Sequence, residues 1–587
     1  MCGIFGIIGR GSSKIDISRN LESIARRGPD DVGEYFDENI HLGFRRLSVI
    51  DLSSSGHQPM SDDKEKIWLI FNGEIYNFLE LKKELDGYFF NSATDTEVLI
   101  YGYKKWGIAG LLSRINGMFA FCLYDKKENV SYLVRDRIGK KPLYYYEKNG
   151  LVSFSSETKA FFHLKDFNFE IEREALDLFM GFSYMPDNKR TIIKNVFKVS
   201  PGSYIKIKDG KLEEKKYWSL PGKNVFSSFD EAKNKLEYLL TDSIKKRLIA
   251  DVPIGVLLSG GLDSSLITAL ASKYSQKQIN TINISFKNSS IDEKKYARKV
   301  ANHCNTNHHE LTLDVGEVYD KFKGNIEIFD DLSTVDGGLF STFLISQKVK
   351  ELGIKVVLVG EGADEIFGGY SWFQFSKYPF RMLPNFIKAS GYYYAIMRSL
   401  PGINFFKYAR ILGKKLEETK RSFFYKVQEY EIKYSLPNHY CMKVDKGASA
   451  ASIEARAPYM DYRIVELANG MDENFMIKGS FFNKKMANEK HILRKIAEKY
   501  LPLEICERKK LGGMLPTEDI LNDGLEKDSD LILKNKFIVD FFGKGYLEKM
   551  ISNNTQNKFF RWQREWTLWK CLIFAVWFDY FNKYGKN

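Results

Sequence analysis

Cysteine is scarce and scattered: six residues at 2, 122, 304, 441, 506 and 571 among 587, with no C-x-x-C pair or zinc-finger spacing. That scatter excludes a thiolate-built metal site and a disulfide framework, and it points to a reducing compartment. Long apolar runs are also missing. The longest, residues 568–581 (LWKCLIFAVWFDYF), falls short of the ~20 residues a spanning helix needs and is broken by Lys570 and Asp579. It reads as a buried C-terminal helix, and no membrane partner is expected. The start lacks a basic region followed by an apolar one, so no signal peptide is read and a cytoplasmic location is expected. No G-x-x-x-x-G-K-S/T loop, internal repeat, low-complexity tract or nucleic-acid motif occurs. The net charge of +13 arises from 88 basic and 75 acidic residues mixed along the chain. Such mixing describes a lysine-rich surface rather than a nucleic-acid interface.

What is present is an ordinary globular balance, 44% hydrophobic and 28% charged, in a chain long enough for two or more cores. Residues 1–205 carry short alternating runs rich in aromatic and β-branched residues (GIFGIIG, IHLGFRRLSVID, KIWLIFNGEIYN, GMFAFCLYD). Helical stretches interrupt them near 77–86 and 95–106. This pattern predicts a sandwich of sheets with helices attached. Turn residues accumulate over 206–230, which reads as a linker. From 231 the pattern becomes helix, strand, helix, the signature of βαβ units on a parallel sheet. Residues 371–587 read as mostly helical.

The strongest local signal is VLLSGGLDSS, residues 256–265. Val256–Leu258 supply a buried strand, and Gly260 and Gly261 let the backbone turn sharply beside a ligand. Ser264 and Ser265 then open a helix whose N–H groups and dipole suit a pyrophosphate, with the Ser259 and Ser264 hydroxyls as further donors. A second loop, EGADEIFGGY (361–370), follows the strand IKVVLVG. Carboxylates there, facing a phosphate loop, make chemical sense with Mg²⁺ between them.

The first loop resembles the S-G-G-x-D-S pyrophosphate loop of N-type ATP pyrophosphatases. Together with FKNSSIDEKKYARKVA, IEARAPYMDYRIVELA and EKHILRK, the two loops resemble the synthetase domain of glutamine-dependent asparagine synthetases of the class B type. The resemblance implies that Ser259, Gly260, Gly261, Ser264 and Ser265 hold pyrophosphate, and that Asp263 and Asp364 ligate Mg²⁺. It implies further that Leu257, Ile284 and Gly360 line the ATP pocket. Glu361 would act on the acyl-adenylate step, as a base or a ligand for incoming ammonia, and Lys490 would stabilise charge developing on the phosphate. Two stretches depart from the family pattern: Val359 stands where serine is common, and RKKLGGMLP (508–516) replaces R-K-K-x-G-F.

The opening MCGIFG carries a different chemistry. After loss of Met1, Cys2 would hold a nucleophile and a base on one residue, its free amine accepting the thiol proton. Asn72 and the Gly73 N–H in FNGEIYN are oxyanion-hole candidates. Arg46 in FRRLSVID suits an α-carboxylate, and Glu74 and Asp95 suit an α-amino group, so the ligand described is glutamine. These residues, with RRGPDDVG, INGMFAFCLYD and RDRIGKKPLYYY, resemble the class II glutamine amidotransferase domain, and that resemblance adds Val49 to the glutamine-binding set.

The fold implied is an N-terminal-nucleophile hydrolase sandwich over 1–205, a linker over 206–230, and an α/β parallel-sheet ATP pyrophosphatase domain with a helical C-terminal part over 231–587. The function implied is ATP-dependent amidation of aspartate, with ammonia from glutamine, through an acyl-adenylate. Another carboxylate, such as a sugar acid or a peptide, is the alternative acceptor. A homodimer is implied by the resemblance alone.

Overall fold

The computed structural model describes residues 1–222, 226, 228–286, 293–313, 318–332, 338–397, 404–479, 489–508, 517–552 and 558–584. Residues 509–516 of the RKKLGGMLP stretch lie outside that set.

The N-terminal part is an α+β sandwich of two six-stranded antiparallel sheets. Gly3–Ile8 is a central strand of the first, paired with Ile40–Arg46 on one side and Leu151–Ser155 on the other. All six of its residues are buried, because alternate side chains serve two different cores. Ile4 and Ile8 face the second sheet, meeting Ile70, Ala120, Cys122 and Leu133. Phe5 and Ile7 face outward onto the helix Ser18–Ser23 and the C-terminal helix Lys558–Tyr584. The outer face of the second sheet is covered by Phe78–Glu84 and Glu97–Arg114, the two helices expected from the sequence. The second of these runs past 106 through a break at Gly107, whose φ of 66° a glycine tolerates. Cys2 therefore sits immediately before a strand that cannot move without disturbing two cores.

The second part is an α/β unit around a five-stranded parallel sheet. Its strands run, in spatial order, Asn307–Leu313, Asn280–Phe286, Ile254–Leu257, Val356–Leu358 and Glu454–Arg456. The chain leaves Ile254–Leu257 for the neighbour on one side and later returns to the neighbour on the other. That reversal creates a crevice at the carboxyl ends of Ile254–Leu257 and Val356–Leu358, where open parallel sheets bind ligands. Both loops singled out by sequence emerge there. The helix Leu262–Tyr274 follows the glycine turn as expected.

Three features were not anticipated. The hairpin Ser203–Lys208 and Lys211–Lys216 belongs to the second antiparallel sheet, so strand pairing continues into the stretch read as linker. Charged residues dominate Lys211–Lys216 because it is an edge strand exposed along almost its whole length. Arg173–Phe182 is a helix inside the β-rich part. A single strand, Glu454–Arg456, completes the parallel sheet within the helical region; three residues are too few to show a period.

The apolar C-terminal stretch is a buried helix as expected, and among the described residues no helix is long and apolar enough to cross a membrane. Phe581 packs on Phe162 with ring centroids 5.1 Å apart. Lys570 is fully buried in this helix, donates to the Met180 carbonyl at 2.8 Å, and is pushed down to about 7 by burial. A lysine lowered from its usual value costs stability below the folded pKa, and the cost fades as pH rises from about 7 toward 10.5. Lys570→Met is therefore expected to raise Tm by several degrees at pH 6 and by clearly less at pH 9.5, read by calorimetry at the two pH values.

Candidate active sites

The Cys2 thiol lies 3.9 Å from the Leu47 carbonyl, and the Cys2 carbonyl accepts from Arg27 Nε at 2.9 Å. Burial pushes the thiol up, while the positive N-terminal amine pulls it down and Glu454 and Glu74 act against ionisation. Met1 is buried here, its Sδ contacted by Lys141 Nζ. Burial lowers its α-amine to about 6, although Glu454 draws it the other way. While Met1 is attached, the Cys2 nitrogen is an amide and cannot serve as a base.

Asn72 lies in the strand Ile67–Ile75, wholly buried, and among the described residues neither its Nδ2 nor its Oδ1 has a hydrogen-bond partner. An unsatisfied buried amide costs about 1–3 kcal/mol, which is the condition expected of a group reserved for a ligand. A Cβ on Gly73 would come 2.1 Å from the Met118 carbonyl oxygen, so only glycine fits against the neighbouring strand. Glu74 and Asp95 are both 5% exposed. Asp95 accepts from the Ile75 N–H at 2.6 Å. Burial and the nearby Glu454 push Asp95 up to about 7, and burial with Glu454 and Asp95 pushes Glu74 well above the carboxylate range. The pocket thus holds acid groups in search of a cation.

Arg46 is buried, with two of its nitrogens on the carbonyls of Ser53 and Asp51. A Cβ on Gly56 would fall 1.9 Å from Arg46 Nη2, so that glycine makes room for the guanidinium. Val49 faces the other half of the molecule: its carbonyl accepts from the Asp251 N–H at 2.9 Å, and its side chain packs with Leu47 and Val356.

In the second site, Ser259 Oγ lies 3.1 Å from Ser264 Oγ and accepts from the Gly261 N–H at 3.3 Å, so the hydroxyls pre-shape the loop. Gly260 has φ +73°, and a Cβ there would meet Ala297 N at 2.6 Å. Arg508 latches the loop from outside, donating to the Gly260 carbonyl at 2.7 Å and to Glu293 at 2.8 Å. Ser265 differs from its neighbours. It is fully buried with its hydroxyl unsatisfied, so its side chain faces the core rather than the loop. Leu257 and Ile284 are half-buried at the carboxyl ends of their strands. A Cβ on Gly360 would lie 3.3 Å from the Asp263 Cβ, which brings the two loops into contact.

Lys490 joins them. It is 5% exposed and pairs with Asp263 at 2.5 Å and Asp364 at 2.7 Å. The two carboxylates hold its ammonium above the usual lysine range despite burial. Hard carboxylates at adjacent strand ends, facing a phosphate loop, are the donor set Mg²⁺ takes when phosphates complete its shell. Among the described residues no cluster of three or more His, Cys, Asp or Glu would hold a metal by itself. Glu361 is half-buried in the same loop, with Lys443 4.0 Å away.

Sequence reasoning missed the groups that join the sites. Arg456 is fully buried and pairs with Glu454 at 2.8 Å and with Glu74 of the Cys2 site at 3.3 Å. Glu454 is held below its usual range, first by Arg456. Asp445 binds Arg27 at 2.9 Å and Lys141 at 3.3 Å. The signal available was the E-x-R pair in IEARAPYM, two charges within an otherwise apolar stretch. Gly369 was also overlooked: a Cβ there would lie 2.0 Å from Asp364 Oδ1 and 2.1 Å from Lys490 Cε. Gly369→Ala is expected to force that pair apart and lower stability by about 1–3 kcal/mol, read from the urea midpoint.

Comparison with known proteins agrees with this pairing of sites. Residues 1–218 match the glutamine amidotransferase domain family, and residues 235–579 match the asparagine synthase family. Asparagine synthetase (glutamine-hydrolyzing) 1 of Bacillus subtilis (strain 168) is 29% identical, over 98% of this chain and 96% of that protein. Asparagine synthetase B (glutamine-hydrolyzing) of Escherichia coli (strain K12) is 31% identical, over 87% of this chain and 81% of its own length. Putative asparagine synthetase (glutamine-hydrolyzing) 2 of Methanocaldococcus jannaschii is 34% identical, over 72% and 81%. A thiol site backed by buried acids, an ATP-type loop closed by a lysine, and matches spanning both halves lead to one assignment: the chain belongs to the asparagine synthase family.

Proposed function

We propose the following division of labour for an enzyme that makes asparagine from aspartate, using ATP and the amide nitrogen of glutamine. The observation that carries the glutamine half is the buried, unsatisfied Asn72 side chain beside two carboxylates raised in pKa. Once Met1 is removed, the Cys2 amine takes the thiol proton and the sulfur attacks the glutamine side-chain carbonyl. Asn72 Nδ2 and the Gly73 N–H receive the oxyanion. Glu74 and Asp95 hold the substrate ammonium, and Arg46 holds its carboxylate, with Val49 beside them. Ammonia leaves, and water releases glutamate from the thioester.

In the second half, the aspartate side-chain carboxylate attacks the α-phosphorus of ATP and pyrophosphate departs. Ser259, Gly260, Gly261 and Ser264 cradle the pyrophosphate, Ser265 contributing through the backbone of its helix turn. Leu257, Ile284 and Gly360 flank the nucleotide. Lys490 bears on the phosphate charge that grows in the transition state. Mg²⁺, when bound, would be held by Asp263 and Asp364 and would neutralise phosphate charge. Ammonia then attacks the acyl-adenylate carbonyl, Glu361 accepts the surplus proton, and AMP leaves. Free ammonia is mostly protonated at neutral pH, so the two sites are joined by a passage.

The division into 1–205, 206–230 and 231–587 belongs to this proposal, with the hairpin through Lys216 as an extension of the first unit. So do a homodimer, a cytoplasmic location supported by six free cysteines, and the absence of nucleic-acid and membrane partners.

Cys2→Ala is expected to abolish glutamine-dependent synthesis while leaving synthesis from ammonium salts within about twofold. Coupled assay of AMP and asparagine checks it, and joint loss of both activities in a folded protein would overturn the two-site reading. The raised carboxylates give a second test. Glutamine's ammonium needs them ionised, so KM for glutamine is expected to fall about tenfold from pH 6 to pH 8, and Asp95→Asn should flatten that profile. Glutamine hydrolysis without ATP is the measurement.

A further inference from the structure

A basic cavity lies apart from both catalytic sites. Its volume is about 240 Å³, and none of the residues assigned to the Cys2 or ATP sites lines it. Four cations do: Arg381, Lys388, Arg421 and Lys426, while Glu473 is the one carboxylate among the lining residues. Glu473 is engaged by the Ser422 hydroxyl. Lys426 is paired with Glu417 at 2.5 Å, and Arg421 donates to the Asn469 carbonyl at 2.8 Å.

Lys388 is the informative member. It is 8% exposed, and among the described residues its ammonium has neither an ion pair nor a hydrogen-bond acceptor; it stands 5.1 Å from the centre of the Phe423 ring. The Lys388 stem is buried while the ammonium opens on the cavity, and a largely buried lysine is usually paired. Burial, then Lys426, then Arg381 hold this one below the usual lysine range, so like charges crowd it. The helix Phe423–Tyr430 also starts here, at Ser422, whose side chain does not cap it. Its positive end adds to the same field. Arg381 and Asn385 at the mouth are exposed, which leaves an entry from solvent.

We propose that this cavity binds a small phosphate-bearing anion that completes the pairing of Lys388. Ligand pockets usually measure ~300–1,000 Å³, so the cavity suits one phosphate group with a small body. Two guanidinium groups and a helix N-terminus favour tetrahedral phosphate oxygens over a lone carboxylate. The site reaches the catalytic lysine through a short path. Ser376 lines the cavity, Gln374 two residues before it donates to Glu489 at 3.3 Å, and Glu489 precedes Lys490.

The test uses the full chain and inorganic phosphate, with chloride at matched ionic strength, followed by calorimetric titration and thermal melting. Ser264→Ala, in the pyrophosphate loop, separates phosphate bound there from phosphate bound in the cavity. We expect the Ser264→Ala protein to keep one phosphate-binding event, with a Tm rise of about 2–4 °C. Adding Lys388→Met should abolish that event, and adding Arg381→Gln at the exposed mouth should weaken it at least tenfold. Lys388→Met removes a buried charge and is expected to fold; Arg381→Gln is a surface change and decides the matter if it does not. Unaltered phosphate binding in the Arg381→Gln protein, or citrate binding as tightly as phosphate, would overturn the proposal.

Discussion

The ion pair between Arg456 and Glu74 is the contact on which the arrangement of the two sites depends. Arg456 belongs to the last strand of the parallel sheet, and Glu74 to a strand of the sandwich. A fully buried guanidinium is tolerable only where carboxylates and carbonyls surround it, and here Glu454, Glu74 and the carbonyls of Arg247 and Ile249 do so. Buried pairs contribute little net stability, since desolvation offsets the attraction, but removing one partner is costly. Their effect is to define register. The charge state of the carboxylates proposed to receive glutamine's ammonium is therefore set by burial first, with Glu454 opposing and Arg456 favouring ionisation from the second half.

A second set of buried charges repeats this logic behind Cys2. Arg27 supports the Cys2 carbonyl and reaches Glu157 on its own side, then Asp445 and Ser449 across the junction. Lys446, on the same helix as Asp445, pairs with Asp331 at 2.6 Å, and Asp331 also accepts from Tyr144 of the sandwich at 2.5 Å. That helix, Cys441–Ser449, carries Lys443 beside Glu361 as well. One helix thus touches the supports of both centres. Neither half keeps its polar interior satisfied without the other.

Patterning made the larger features legible. Alternation in GIFGIIG and KIWLIFNGEIYN announced strands, though not that the first would be buried on both faces, and VLLSGGLDSS announced strand, turn and helix, because each is a local signal. Cys2, Asn72 and Asp263 stood out for the same reason, each carrying its chemistry in a short local motif. Arg456, Arg27, Asp445 and Gly369 were not. Their meaning lies in what they meet from hundreds of residues away, and Glu454–Arg456 is too short for periodicity to reveal. Ser265 shows what a motif leaves open: its position does not say whether side chain or backbone faces the loop, and the helix turn buries its hydroxyl.

Both centres share one electrostatic device, a buried cation held between two carboxylates. At the Cys2 site, Arg456 pairs with both Glu74 and Glu454, Lys141 and the N-terminal amine lie near, and the buried Asp95 adds a further acid, so the pocket holds raised carboxylates that a substrate ammonium would relieve. At the phosphate loop, Lys490 is clasped by Asp263 and Asp364, so its charge is already committed before any triphosphate arrives. Under the proposed mechanism, a triphosphate entering that crevice would compete with two carboxylates for one lysine. Positive charge brought in with the nucleotide would occupy the carboxylates and free Lys490 for the phosphate. The first site thus keeps buried acids beside a committed arginine, and the second keeps a lysine committed to two carboxylates.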